Sequence, residues 1–312
     1  MASRKGNPVH GWVVLDKPIG LSSSKAVGIV RRIFNAAKAG HGGTLDPLAT
    51  GLLPIALGEA TKTVSFAMHG AKSYEFTLAF GAQTTTDDRE GEVIFSSDIM
   101  PTAAQIETVL PQFIGTIQQR PPIFSAIKVD GARAYDIARK AIASGAPDLP
   151  ELDARPIDID RLELRSVDAA SASFFVACGK GTYIRSLARD IALILGSAGH
   201  VSSLRRLSVG PFFESDAISL DFLEKLEHSS AAFEHLKPVV SALDDIPAVP
   251  ISADEAVKLR HGQTLPALGP SAQARFEEVI SSEIGVALAS SVPVALVSVK
   301  SGQLQPLRVF NL

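Results

Sequence analysis

Apolar and polar positions along the chain follow two periods, and these assign most of its elements. GWVVLDKPIG (11–20) is an apolar run closed by a Pro-Gly turn and predicts a strand. SSSKAVGIVRRIF (22–34) repeats Ala26, Val27, Val30, Ile33 and Phe34 at helical spacing behind capping serines. SYEFTLAFG (73–81) alternates Tyr74, Phe76, Leu78 and Phe80 on one side, the pattern of a half-buried strand, with GEVIF (91–95) as its expected neighbour. TAAQIETVL (102–110) opens with a Thr-x-x-Gln capping box and predicts a helix. Residues 118–142 read as a Pro-marked segment, a strand with a turn, then a helix; 143–152 read as a loop. PIDIDRLELRSV (156–167) and SASFFVACGKG (171–181) predict paired strands. TYIRSLARDIALILG (182–196) predicts a helix capped by Thr182 and ended by Gly196, with Ile184, Leu187, Ala188 and Ile191 on one face. VSSLRRLSVGPF (201–212) is strand-like.

Helices mixed with long, partly antiparallel strands predict an α+β fold rather than a doubly wound parallel sheet. The texture changes near Asp244-Asp245-Ile-Pro, so domains are expected at 1–245 and 246–312. The second begins with a capped helix, Ser252 to Glu255, ending at Gly262. Ala- and Ser-rich sequence and two short strands follow, SVPVALVSV (291–299) among them.

Composition narrows the class. Of 312 residues, 46% are apolar, enough for a sizeable core, and 20% are charged, too few for a disordered solvating chain. No apolar run approaches the ~18 residues of a membrane span, and MASRKGNPVHGW lacks the apolar run of a secretory signal. A protein without membrane attachment, in the cytoplasm, is expected. The single cysteine, Cys178, allows neither an intrachain disulfide nor a Cys-rich zinc site and reads as a buried, inert thiol. Net charge is only −3, but it is unevenly spread. Residues 1–72 hold nine Lys/Arg against three acids, and 177–210 hold five against Asp190 alone. If those segments meet, they form a positive face suited to a polyanion such as RNA; ordinary solvated charge is the alternative.

The stretch GHGGTLDPLATGLLPIALGEATK (40–62) poses the chemical question. It is no Walker loop, because no Gly-Lys-Ser/Thr ends it, and leucine at position 45 breaks G-x-G-x-x-G. Asp46 before Pro47 suits a turn. Amid glycines that permit close approach, with Leu45, Leu48, Leu52 and Leu53 able to anchor the loop, its carboxylate also suits a nucleophile or a general acid/base. Local sequence does not decide between these.

The wider set of motifs bears on the choice. The 40–62 stretch resembles the catalytic loop of the TruB-type tRNA pseudouridine-55 synthases. LDKPIGLSS (15–23), KSYEF (72–76), QRPPIFSAIKVDGARAYDIAR (119–139), CGKGTYIRSLARDI (178–191) and HVSSLRRLSVGPF (200–212) resemble further motifs of that family in its order, covering about residues 9–213. The resemblance implies a pseudouridine synthase fold: a long mixed, mostly antiparallel sheet flanked by helices, a thumb-like RNA-gripping insertion at 118–152, and a small PUA-like domain at 246–312. It implies Asp46 as nucleophile and Arg185 as its partner. Tyr74 stacks on the uracil and is a candidate base for sugar-proton removal. Tyr183 and Leu204 shape the pocket, Lys62 lies at its edge, and His41 contacts the RNA loop. Asp88 matches an acid of the family's G-x-x-T-D-T-x-D-x-x-G loop, which here reads GAQTTTDDREG with Thr85 where Asp is usual. The implied substrate is the TΨC stem-loop of tRNA, modified by a monomer that needs no protein partner and no cofactor or metal.

Each of these residues also has a structural reading. Tyr74 suits a core, Arg185 a solvated helix face, Leu204 plain packing, His41 a structural histidine and Lys62 the surface; agreement among several motifs favours function. The chemistry fits. Isomerisation breaks an N-glycosidic bond and rejoins the base through carbon, without redox or metal chemistry. A guanidinium favours a charged carboxylate and can hold it with two hydrogen bonds. Tyrosine ordinarily titrates near a pKa of about 10, so stacking suits Tyr74 better than base catalysis. Flipping the uridine costs a few kcal/mol, against roughly 1–3 kcal/mol from stacking and further help from phosphate contacts. Competing readings are a non-catalytic RNA-binding or RNA-folding module on this scaffold, and a guide-RNA-dependent synthase subunit. A glycosidase using paired carboxylates is a poor third.

Overall fold

The computed structural model describes residues 6–312 except 126, 130–131, 136, 139, 141–151 and 228. Residues 143–151 of the loop expected at 143–152, and much of the insertion expected at 118–152, lie outside the described residues. The chain divides into two compact units, one of residues 1–45, 52–68 and 209–312, the other of 46–51 and 69–208.

In the first unit the strand Gly11–Lys17 is almost wholly buried and pairs in parallel with Ile218–Ser219. Ala39–His41 runs antiparallel to residues Ile55–Leu57 of the strand Thr50–Leu57. The sequence pattern hid that strand: buried on both faces, it shows neither alternation nor helical spacing. The helix Ser23–Ile33 starts at Ser22, whose hydroxyl accepts from the Lys25 N–H, and it buries Ala26, Val30 and Ile33.

The C-terminal stretch of this unit builds a five-stranded sheet in the order Ala248–Pro250, Gly285–Ala289, Val292–Lys300, Gln303–Val309, Leu265–Pro266. The Ser252–Glu255 capping box starts the helix Ala253–Arg260, as expected. A further helix, Pro270–Ser282, fills the segment read only as Ala- and Ser-rich. Its periodic signal is thin, since only Phe276 and Val279 are buried. Val286, Leu296 and Phe310 join Trp12, Val14 and Leu52 in one apolar cluster.

In the second unit Lys72–Phe80, Ser171–Cys178, Arg155–Val167 and Gly115–Gln119 pair antiparallel in that order. Gly199–Val209 neighbours Lys72–Phe80 on its other side. Arg205 and Arg206 of that strand pair in parallel with Thr50 and Gly51. The residues expected to neighbour 73–81 pair elsewhere: Val93–Ser96 forms a two-stranded sheet with Ala82–Thr84, because Gly81 turns the chain away at φ +95°. Ser171–Cys178 takes the place beside Lys72–Phe80 instead. The helix Ile184–Ile194 buries Ile184, Leu187, Ala188 and Ile191 as its spacing predicts. Thr182 does not cap it: Tyr183 holds the N-cap position with no side-chain cap bond, and the Thr182 hydroxyl donates to the Gly179 carbonyl. Buried Gln119 closes the helix start, accepting from the Tyr183 N–H at 2.8 Å and donating to the Tyr183 carbonyl at 3.1 Å.

Candidate active site

Asp46 is both a turn residue and a presented group. Its carbonyl accepts from the Ala49 N–H at 3.1 Å, closing a turn with Pro47 at the second position, where a fixed φ fits. Leu45 on one side of it, and Leu48 and Ala49 on the other, are buried. Both backbone groups of Leu45 bond the Ser23 hydroxyl at 2.8 Å. The Asp46 side chain keeps 35% of its surface exposed.

One buried cation meets that carboxylate. Arg185 lies on the inward face of its helix, and its Nε stands 3.0 Å from Asp46 Oδ2. The two-bonded fork expected on Asp46 is not formed. Nη1 donates to the Thr86 carbonyl at 3.0 Å and stands 3.5 Å from Asp88 Oδ2, while Nη2 donates to the Phe124 carbonyl at 3.1 Å. Three anchors thus fix the guanidinium plane and leave one edge for Asp46. Asp88 is itself held: its Oδ1 accepts from the Thr86 hydroxyl at 2.5 Å and the Glu90 N–H at 3.0 Å.

Tyr74 points from its strand into buried surroundings beside Arg206, and its phenol bonds that guanidinium. Burial pushes the phenol above its ordinary value and Arg206 opposes the shift, so the upward direction disfavours Tyr74 as a base. Burial likewise raises the Tyr183 phenol, opposed by Ser125 and Arg185. Leu204 is buried in its strand. Asp46, Asp88, Tyr74, Tyr183 and Arg185 belong to one electrostatic neighbourhood.

Lys62 and His41 belong to the other unit. The Lys62 ammonium bonds Glu59 Oε2 at 2.6 Å and the Val309 carbonyl at 2.7 Å. His41 Nδ1 accepts from the Gly43 N–H at 3.3 Å.

The spacing of the motifs gave no role to Arg206, Lys72, Gln119, Asp87 or Arg189, polar residues that lie beside Tyr74, Tyr183 or Arg185 or beside a residue that does. Arg206 is 2% exposed, and Lys72 is pushed from 10.5 down to about 8 by burial, with Arg206 adding to the shift. Their positions offered one signal: Lys72 and Tyr74 share a strand face, as do Leu204 and Arg206, and charge on an apolar face wants a partner. Much of the positive charge of 177–210 therefore turns inward: Arg185 and Arg206 are buried, Arg189 is ion-paired, and Lys180 remains exposed. Burial also raises the Cys178 thiol to about 11, as suits an inert side chain. Among the described residues no cluster of three or more His, Cys, Asp or Glu could hold a metal ion. No helix there is long and apolar enough to cross a membrane.

Residues 31–184 match the TruB family pseudouridylate synthase N-terminal domain, and 185–246 match the tRNA pseudouridylate synthase B C-terminal domain. The tRNA pseudouridine synthase B of Caulobacter vibrioides is 48% identical over 99% of this chain and 98% of its own. That of Rhodospirillum rubrum is 47% identical over 99% of each.

The chain belongs to the TruB family of pseudouridylate synthases.

A chain in the crystal structure of a Cbf5-Nop10-Gar1 complex shares its fold at TM-score 0.72 and 25% identity, over 99% of this chain and 92% of that one. The expected α+β architecture, a mixed sheet with flanking helices and a small C-terminal sheet, is thus that of a TruB-type enzyme, an isomerase of uridine.

Proposed function

We propose that this TruB-type enzyme isomerises uridine 55 in the TΨC loop of tRNA, with Asp46 as the nucleophile. One observation carries the proposal: a partly exposed carboxylate held at 3.0 Å by a guanidinium whose other nitrogens are fixed by two backbone carbonyls and the buried Asp88. The target must leave its stack to reach that oxygen, since chemistry on a base inside a folded loop is sterically closed. Asp46 adds to the target nucleoside, the bond between N1 and the ribose breaks, the base turns, a bond from C5 to the ribose forms, and the bond to Asp46 breaks to regenerate the carboxylate, while the C5 proton passes to solvent and N1 gains one. Arg185 holds the carboxylate aimed. Tyr74 supplies a stacking face, with its phenol fixed by Arg206. Tyr183 and Leu204 line the base site, and Lys62 and His41 touch RNA. The 118–152 segment grips the loop, and 246–312 serves as a small PUA-like RNA-binding domain. The protein acts as a cytoplasmic monomer on RNA without a protein or guide partner; names of relatives at 47–48% identity support the tRNA substrate.

The test is tritium release from tRNA transcript carrying 5-tritiated uridine, with purified chain alone. Release from the wild type and none from a transcript lacking uridine 55 is expected. Asp46→Asn is expected to abolish release while RNA binding persists; turnover by that variant at the wild-type rate rejects the nucleophile assignment.

A further inference from the structure

The helix Ile184–Ile194 carries a second arginine one turn beyond Arg185. The Arg189 side chain is 14% exposed and reaches three partners. Nη1 donates to Asp87 Oδ2 at 2.8 Å, Nε to Asp190 Oδ1 at 2.9 Å, and Nη2 to the Arg120 carbonyl at 2.9 Å. Arg185 reaches the neighbours of the same residues: Thr86 and Asp88 on either side of Asp87, and Phe124 four positions after Arg120. The two guanidiniums therefore pin the same two segments, one helical turn apart.

Asp87 is the strained centre of this arrangement. It is 6% exposed and sits at φ 56°, in the left-handed region that ordinary residues avoid. Its N–H donates to the Thr84 carbonyl at 3.2 Å and its carbonyl accepts from the Val201 N–H at 3.0 Å. Burial pushes its carboxyl above the ordinary range; Arg189 is the first group to oppose the shift, and Arg185 also opposes it. A buried carboxylate stripped of its partner is strongly unfavourable, and it either takes up a proton or draws on the nearest remaining cation. Here that cation is Arg185, on which Asp46 depends.

We infer that Arg189 is a positioning residue for the isomerisation: by satisfying Asp87 it leaves Arg185 committed to Asp46. The inference rests on the proposed reaction of Asp46. It predicts a rescue that general structural damage does not give, because deleting the Asp87 charge removes the competitor for Arg185.

The experiment measures kcat and KM separately by tritium release from tRNA transcript, with thermal unfolding alongside, for Arg189→Gln and Asp87→Asn/Arg189→Gln. Arg189→Gln is expected to lower kcat by about 30-fold with KM changed less than about threefold, an effect of the size that small displacements of reacting groups produce. The double variant is expected to regain about tenfold of that kcat. Wild-type kcat in Arg189→Gln, or equal kcat in the single and double variants, overturns the inference. Should Arg189→Gln not fold, Arg189→Lys carries the test. It keeps a charge beside Asp87 but lacks the planar fork, so a lowered kcat at unchanged KM supports the inference and a wild-type kcat overturns it. A wild-type chain that releases no tritium, or an Asp46→Asn variant as active as wild type, fails the proposed function itself. Either result is seen before any Arg189 variant is compared, and it takes the inference with it.

Discussion

Arg185 distributes three nitrogens over four acceptors: Asp46, Asp88 and the carbonyls of Thr86 and Phe124. No ammonium can span that set, because its donors radiate from one point while the acceptors lie around a plane. Arg185→Lys is therefore expected to lose on the order of 100-fold in kcat, the scale that misplacing a reacting group by about 1 Å produces. Single-turnover rates on saturating tRNA transcript check this, and wild-type rates would remove the aiming role. At this scale the family resemblance pairs Arg185 with Asp46, and the two side chains stand 3.0 Å apart. It missed how the guanidinium divides its bonds, since the Thr86 and Phe124 acceptors are backbone carbonyls and carry no side-chain signature.

Elements hold these residues through close backbone approaches. Gly51 pairs with Arg206 at φ +98°, and a Cβ built there stands 2.2 Å from the Arg206 carbonyl oxygen. Gly51→Ala is expected to cost roughly 1–3 kcal/mol in strain alone, before the clash, and so to lower the unfolding midpoint. Thermal melts of the two proteins decide it, and an unchanged midpoint contradicts this account of the strand pair. In the C-terminal region, Glu255 accepts from Arg275 Nη1 and Nη2 at 2.8 and 2.7 Å as well as completing its capping box. The Arg275 bonds first of all, and the cap after them, lower its carboxyl from 4.5 to about 2. A depressed folded value means stability that is present above pH 4.5 and lost as pH falls toward 2. Glu255→Gln is expected to flatten that part of the acid-unfolding profile; an unaltered slope between those values would show that the pair contributes nothing. Both capping boxes, Thr102 with Gln105 and Ser252 with Glu255, were legible, because the signal sits within four residues. The partner of Val93–Ser96 was not legible, since pairing depends on where Gly81 sends the chain.

On the scale of the whole molecule, the chain closes on itself within the first unit. Phe310 is 1% exposed and shares a cluster with Trp12, Val14, Leu52, Phe212 and Val239, so residues from both ends of the sequence complete one core. Phe310→Ala is expected to destabilise by about 3–5 kcal/mol through lost burial and a residual cavity. Denaturant unfolding followed by tryptophan fluorescence reads this directly, because Trp12 stands in the same cluster. A loss below about 1 kcal/mol, the scale of a surface change, would mean that the C-terminal strands do not support that core.

The sequence by itself determined the periodic elements, the α+β class and the family, because periodicity and motif order are written in neighbouring positions. The family resemblance also pointed to Asp46 and Arg185, whose side chains stand 3.0 Å apart. Only the tertiary structure decided which acceptors Arg185 takes, that Arg206 and Lys72 are buried beside Tyr74, and that Asp87 leans on Arg189. Those choices join groups such as Arg185 and Thr86, 99 residues apart, and are set by burial and by competition among fixed charges. No local pattern records the outcome of that competition.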